Sequence, residues 1–507
     1  MTTKTGIFLG GLALLAVACG GGKGPETPVD KAAAKTGPVA ETISTQAANK
    51  FNAALEAFAA HDKAGDWSAA VCSDVASQFQ SAAAEQKGGK LPAAIYNAGL
   101  AFQRCGNDKD AQERFKQALG MDPNDTYARA RLALYQYKTD GNEDVGIGTF
   151  QQLVLDAKFQ NVPALTDLAM LQMARDSSQG GDNCKDDLDC AKKNLQRALA
   201  IDDSYMSAFN ELALLYFQAA KKRAGAIRAK TGRSVATNAA MGKRADAQQL
   251  ELAALVCSQA IRKNPNYAPI HNTTGLILNE LGQVNGAVQE FATAAKLDPR
   301  FFEAQMNYAA VNLSFRGFEQ AQAAYQKALA MHPNDYDAHL GLALALRGLI
   351  TDSNYDTQVA AVQAELDTCK KLDANRPDAY YNEGILTQEY KAKAGGDKSV
   401  AIKAYRDAKG ILTQFIDRAG DKPEYAGAVK RSKERIQDGD DLIKFLELPG
   451  PETTPPAAPP AAGAPGAAPA AAPGAPPAAG APGAPPAATP PAAPDQPAAP
   501  PAAAPAP

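Results

Sequence analysis

Three prolines, Pro265, Pro299 and Pro333, stand 34 residues apart, and the same interval separates Ala253, Ala287 and Ala321, and again Cys257, Phe291 and Tyr325. A period of this length constrains the chain more tightly than its composition does. The repeating unit must be a small supersecondary element that cannot bury its apolar face alone, so the core is made by stacking each unit on the next. Small residues let the helices of a unit approach, the aromatic fills the space between neighbouring units, and the proline stops the second helix at a turn.

The stretch APIHNTTGLILNELGQVNGAVQEFATAAKLDP (268–299) carries the whole pattern: Gly275 and Leu278 on a first helix, Ala287, Phe291 and Ala294 on a second, Pro299 at its end. FEAQMNYAAVNLSFRGFEQAQAAYQKALAMHP (302–333) repeats it, as does PAAIYNAGLAFQRCGNDKDAQERFKQALGMDP (92–123) with Gly99, Ala111, Phe115, Ala118 and Pro123 in register. These units resemble the tetratricopeptide repeat, a pair of antiparallel helices. Weaker copies are expected at 126–157, 162–203, 204–265, 336–375 and 376–417, with an opening pair at 46–86 and a closing helix near 424–446. The expected fold is therefore all-α, a tetratricopeptide-repeat superhelical solenoid of about nine helical pairs over 46–447. Insertions interrupt it near 177–187, 221–245 and 347–356.

The flanks read differently. Residues 1–18 contain an apolar run from Gly6 to Ala18 behind Lys4, shorter than the roughly 20 residues that span a bilayer, which suits a signal peptide. Ala16 and Ala18 fit an ordinary small-residue cleavage site. The cysteine directly after them resembles a bacterial lipobox, in which Cys19 is acylated and becomes the mature N-terminus. That reading implies a lipid-anchored protein, and the absence of an aspartate after Cys19 favours the outer membrane. Residues 19–45 read as a flexible tether. Of 34 prolines, 22 fall between Pro449 and the end, so 448–507 is expected to be a disordered, extended Pro/Ala/Gly tail that lacks the apolar content to offset ordering entropy.

An oxidising compartment would let cysteines pair. Cys72 and Cys105 are equidistant from the Gly88-Gly89 turn, which places them at one height of an antiparallel hairpin. Either a disulfide or two separate buried thiols fits that position. Cys184 and Cys190 enclose only KDDLD; a bridge and a metal site shared with the nearby aspartates are the alternatives. Cys257 occupies the Phe291 position of its repeat and reads as core, too far along the solenoid to meet Cys369.

Catalytic motifs are absent. The four histidines, His61, His271, His332 and His339, have no metal-ligand spacing, so neither cofactor nor metal is expected and an enzyme is disfavoured. A net charge of −3, with 45% hydrophobic and 21% charged residues, gives no pull toward nucleic acid. Protein partners are the expectation. Candidate groove residues on the inner face of first helices are Tyr96, Gln103 and Arg104, then Asn272 and Glu280, then Asp337 and Arg347. The segment 221–244, with Lys221, Lys222, Arg223, Arg228, Lys230, Arg233, Lys243 and Arg244 and no acid, is either a docking site for anionic lipid, peptidoglycan or an acidic partner, or a solvated extension of two long helices.

Longer stretches carry a narrower likeness: YNAGLAFQRCGNDKDAQERF (96–115), NCKDDLDCAKKNLQRALAIDD (183–203), LELAALVCSQAIRKNPNYAPIHN (250–272) and RPDAYYNEGILTQEYKAKAG (376–395). With the lipobox, they resemble the tetratricopeptide-repeat lipoprotein of the myxobacterial adventurous gliding-motility machinery. The resemblance implies a non-enzymatic, outer-membrane-anchored scaffold, its solenoid in the periplasm, in a trans-envelope motility complex. The alternative is a pilotin-like assembly factor for a secretin or outer-membrane protein complex.

Overall fold

The computed structural model describes residues 43–180, 183–230 and 236–448; the side chains of Lys63, 223–246 and 394–395 are outside the description. The expected signal peptide, Cys19, the tether up to residue 42 and the tail from residue 449 lie outside the described residues. What is described is helical throughout, with 19 α-helices: α1 (Thr45–Ala64), α2 (Ala69–Glu85), α3 (Pro92–Arg104), α4 (Asp108–Met121), α5 (Thr126–Asp140), α6 (Glu143–Asp156), α7 (Val162–Arg175), α8 (Asp187–Ile201), α9 (Met206–Lys230), α10 (Ala236–Lys263), α11 (Ala268–Glu280), α12 (Val284–Leu297), α13 (Phe302–Ser314), α14 (Phe318–Met331), α15 (Tyr336–Gly348), α16 (Tyr355–Leu372), α17 (Asp378–Glu389), α18 (Lys398–Ala419) and α19 (Ala426–Glu447). Consecutive helices pack in pairs, and each pair packs on the next. The result is an all-α tetratricopeptide-repeat solenoid closed by α19.

Local chemistry places the helix starts. Asn107 accepts the amide of Asp110, Asn142 that of Val145, Asn161 that of Ala164, and Asp335 that of Ala338. Each satisfies a backbone donor that the first helical turn leaves without a partner. Pro92, Pro163 and Pro269 sit in the first turn, where a missing N–H is harmless.

The core forms between the helices of a pair and between neighbouring pairs. Phe115, Phe150 and Phe291 are fully buried on second helices. A glycine on a first helix faces such an aromatic: a Cβ on Gly99 or Gly275 would come within 2.6 Å of the Phe115 or Phe291 ring, and one on Gly341 within 2.2 Å of Tyr325. Glycine is needed there for close approach. Cys257 is buried with the same cluster as Phe209 and Tyr267, a core residue in the aromatic's place.

Hydrogen bonds also cross from one first helix to the next. Arg131 Nε donates to Tyr96 Oη at 3.3 Å, Asn307 Nδ2 to Asn272 Oδ1 at 2.9 Å, and Arg347 Nη1 to Asn382 Oδ1 at 3.1 Å, each across 35 residues. At larger sequence separation, the winding brings the turn after α12 against the end of α3. Arg300 donates to the carbonyls of Arg104 and Cys105, at 3.1 and 3.3 Å.

Candidate functional site

The expected groove residues divide once the helices are placed. Tyr96 is not on the groove at all: it is 0% exposed, packed on Phe115 and Tyr127, because its helix position turns inward to the same pair that Gly99 opens for Phe115. Gln103 and Asn272 are buried rather than exposed, and Asn272 accepts the Asn307 amide. Arg104 points to the opening pair, where Nε and Nη2 meet the Asp62 carboxylate at 2.9 and 3.2 Å and the guanidinium lies 5.1 Å from the Phe58 ring centre. Asp337 is held by Arg376 at 2.6 Å, and the same Arg376 stacks 3.8 Å from the Tyr336 ring centre. Arg347 is tied to Asn382, and burial lowers its pKa. Glu280 alone of the seven is exposed, at the end of α11, where its charge acts on Lys221.

Of the basic segment, Lys221 packs over the Phe217 ring and Lys222 pairs with Asp176 at 2.7 Å. Arg223, Arg228, Lys230, Lys243 and Arg244 lie on α9 or α10 with side chains outside the described set, and Arg233 lies outside the described residues. Both local cysteine pairs are disulfides. Cys72 at the start of α2 joins Cys105 at the end of α3, with Cα atoms 6.3 Å apart, and Cys184 joins Cys190 in the first turns of α8, at 5.1 Å. Beside the second bridge, Asp187 is 1% exposed and accepts from Nε and Nη2 of Arg175, whose Nη1 donates to Asp144. Cys369 is a buried free thiol like Cys257; burial pushes both thiols up to about 12.

The site that sequence spacing did not single out lies on the inner face of α3, α5, α7 and α9. Arg131, Asp167 and Glu211 are each the sixth residue of three successive first helices, α5, α7 and α9. Together with Gln103, Lys138 and Met170 they line a cleft with room for at least one water molecule. Glu211 is 2% exposed and receives one hydrogen bond, from Asn210 Nδ2 at 3.4 Å. Burial, with a smaller push from the charge of Asp167, raises its pKa to about 7. Asn210 in turn accepts the Thr273 hydroxyl at 2.7 Å, which fixes it to α11. Lys138 sits on the same face with its ammonium 5.3 Å from the Tyr135 ring centre.

Two further polar groups recur with the period. His271 Nδ1 meets Glu290 at 2.6 Å while Nε2 meets the Pro265 carbonyl at 2.8 Å; His339 makes the matching contacts to Glu365 and Pro333 at 2.6 and 2.9 Å. The spacing of 68 residues between them, two periods, was the signal available in the sequence.

One stretch of the chain matches a family whose repeat has this architecture. Residues 92–125 match the tetratricopeptide repeat family. No curated protein matches the sequence. Among solved structures, a thermophilic tetratricopeptide-repeat protein of Thermus thermophilus is 25% identical, over 44% of this chain and 99% of its own, with a TM-score of 0.35. MamA of Desulfovibrio magneticus is 20% identical over 39% of this chain and 98% of its own, TM-score 0.28. PilF of Pseudomonas aeruginosa is 17% identical over 54% of this chain and 96% of its own, TM-score 0.35. By its helix pairs and its matching repeat, the chain is a protein of tetratricopeptide-repeat architecture.

Proposed function

We propose that the chain is a non-enzymatic scaffold that docks a segment of another protein on the inner face of its first helices, and that it does so at the outer membrane in a trans-envelope gliding-motility complex. The observation that supports docking is the polar inner face itself. Arg131, Asp167 and Glu211 occupy equivalent positions on successive helices and leave a cleft between them, the arrangement by which a repeat array presents one extended surface to a partner. The support for the address is in the sequence: the lipobox-like Ala-Cys junction at Cys19 and the four stretches that resemble the gliding lipoprotein. Two or more acyl chains on Cys19 would suffice for stable attachment.

Photo-crosslinkers at Ser207, which lines the cleft, and at the exposed Lys116 on α4 test the docking face in living cells. Crosslinks to the same envelope proteins from Ser207 and not from Lys116 are expected; equal capture from both would overturn it. Cys19→Ser should release the protein from membranes without unfolding it, and retained membrane association would refute the anchor. Gene deletion should abolish gliding while pili and outer-membrane barrels assemble; missing secretin multimers would instead identify an assembly factor.

A further inference from the structure

We infer that the cleft between α3, α5, α7 and α9 is a socket for a lysine side chain of the docked protein segment, with the Glu211 carboxylate as the receiving group. The inference rests on the docking reading and names the chemistry of one of its subsites.

The argument begins from what Glu211 lacks. It is 2% exposed, and its carboxyl has one hydrogen bond, a 3.4 Å contact from the neighbouring Asn210 amide. An ionised carboxylate accepts at up to four positions, and a buried one without strong donors is costly. The charge acting on it is that of Asp167, a second carboxylate one helix away. The groups that face the cleft from the surrounding elements are Gln103 on α3, Arg131 and Lys138 on α5, Thr166 and Asp167 on α7, and Tyr205 and Ser207 before and within α9. Arg131 donates to Tyr96, and the Lys138 ammonium lies over Tyr135. A cation brought from outside would therefore satisfy Glu211 more fully than any contact it has now.

The depth of the carboxylate selects among cations. A lysine carries a compact point charge on a flexible stem and can meet a single buried carboxylate, whereas a guanidinium needs its planar fork of donors matched. The aliphatic stem of a lysine would run out past Met170 and Leu134, the apolar part of the lining. Ser207 and Thr166 supply hydroxyl oxygens for the ammonium protons that Glu211 leaves over. Because Glu211 is held largely protonated below about pH 7, entry of the ammonium displaces a proton. Binding should tighten as pH rises toward 7 and then level off.

The probe is Nα-acetyl-lysine methylamide, added to the full-length protein carrying ¹³C-methyl methionine, with the Met170 methyl as reporter and the other methionines as a folding control. A saturable shift of Met170 is expected, absent with the Nε-acetylated probe, several-fold weaker with the arginine analogue, and weakened at least tenfold in Glu211→Gln. Between pH 6 and pH 7 the affinity should rise by several-fold. No saturable shift, an equal response to the neutral probe, or unchanged binding in Glu211→Gln would overturn the socket. If the socket fails while Ser207 still crosslinks to partners, docking stands and its chemistry lies elsewhere on the face; if the crosslinks fail as well, the docking reading falls too.

Discussion

Arg300 and Cys105, 195 residues apart in sequence, are joined by a hydrogen bond from the guanidinium Nη1 to the cysteine carbonyl at 3.3 Å. The second arm of Arg300 takes the Arg104 carbonyl, so one cation caps the C-terminal end of α3 from a distant repeat. The negative end of a helix favours such a group. Beside this contact, a Cβ on Gly65 would lie 3.4 Å from the Leu297 carbonyl oxygen, which shows that the turn after α1 also approaches the end of α12.

Arg300→Ala should leave thermal stability almost unchanged, because exposed hydrogen bonds of this kind contribute about 1 kcal/mol. The distance between probes at Lys109 and Lys296 should nevertheless broaden toward longer values. An unchanged distribution would mean that the winding, not the arginine, holds the two turns together.

Removing the Cys72–Cys105 bridge, by Cys72→Ala with Cys105→Ala, opens a closed loop with a sequence separation of 33. On the chain-entropy account the loss is about 3 to 4 kcal/mol. Hydrogen exchange should accelerate in α1 to α3 and stay unaltered in α15 to α19, since the packing of a repeat array runs chiefly between neighbours and the long-range contact of Arg300 reaches the opening pairs from α12 to α13 only. Uniform acceleration along the chain would contradict that picture.

Glu211→Gln should stabilise the protein in a pH-dependent way. The folded pKa of Glu211, about 7, is above the ordinary 4.5, so its favourable contribution is present below pH 4.5 and is lost as pH rises through 7. At about 1.4 kcal/mol per unit, the amide variant gains up to about 3 kcal/mol over the native protein at pH 8 and little at pH 4. Denaturant unfolding at the two pH values gives the comparison; a difference independent of pH would refute it.

His271 shares the sign of this pH dependence, but its replacement should show as a loss at low pH rather than a gain at high pH. Burial opposes its charge, but Glu290 and the Pro265 carbonyl outweigh burial and raise its pKa. The stability it confers is full below the ordinary histidine range and is lost as pH rises through the folded pKa. His271→Gln should therefore be destabilised by about 1 to 2 kcal/mol at pH 5.5 and by less at pH 8.

Gly275→Ala should cost about 1 to 3 kcal/mol, because the added methyl meets the buried Phe291 ring at 2.6 Å. Phe291→Leu in the same chain should recover part of the loss. Additive losses in the double variant would show that the two positions do not share the space.

The fold was legible because its signals are local and recur: Pro265, Pro299 and Pro333 end helices wherever they occur, and Gly99 and Gly275 mark where an aromatic needs room. Side-chain direction was much less legible. Tyr96 and Gly99 are three residues apart on one helix, and position alone did not show that the tyrosine turns into the core. Glu211 escaped because the insertion near 177–187 lies between it and Asp167 and breaks the interval that would have aligned the two. The Arg300 contact has no local signal, since it depends on rotations accumulated over many repeats. His271 and His339, by contrast, could have been matched to each other from the period, although their glutamates stand at different intervals, 19 and 26 residues on.

The placement of the Cys72–Cys105 bridge gives the array a direction of unravelling. A stack held only by neighbour contacts frays from its ends, and the opening end is stapled covalently between its first and second helical pairs. The closing end is held by side-chain contacts, with Gln388 donating to the Arg435 carbonyl and Arg435 pairing with Glu389. Under tension α19 and α18 would therefore peel away first, and the pairs around the cleft would keep their form while the far end gave way.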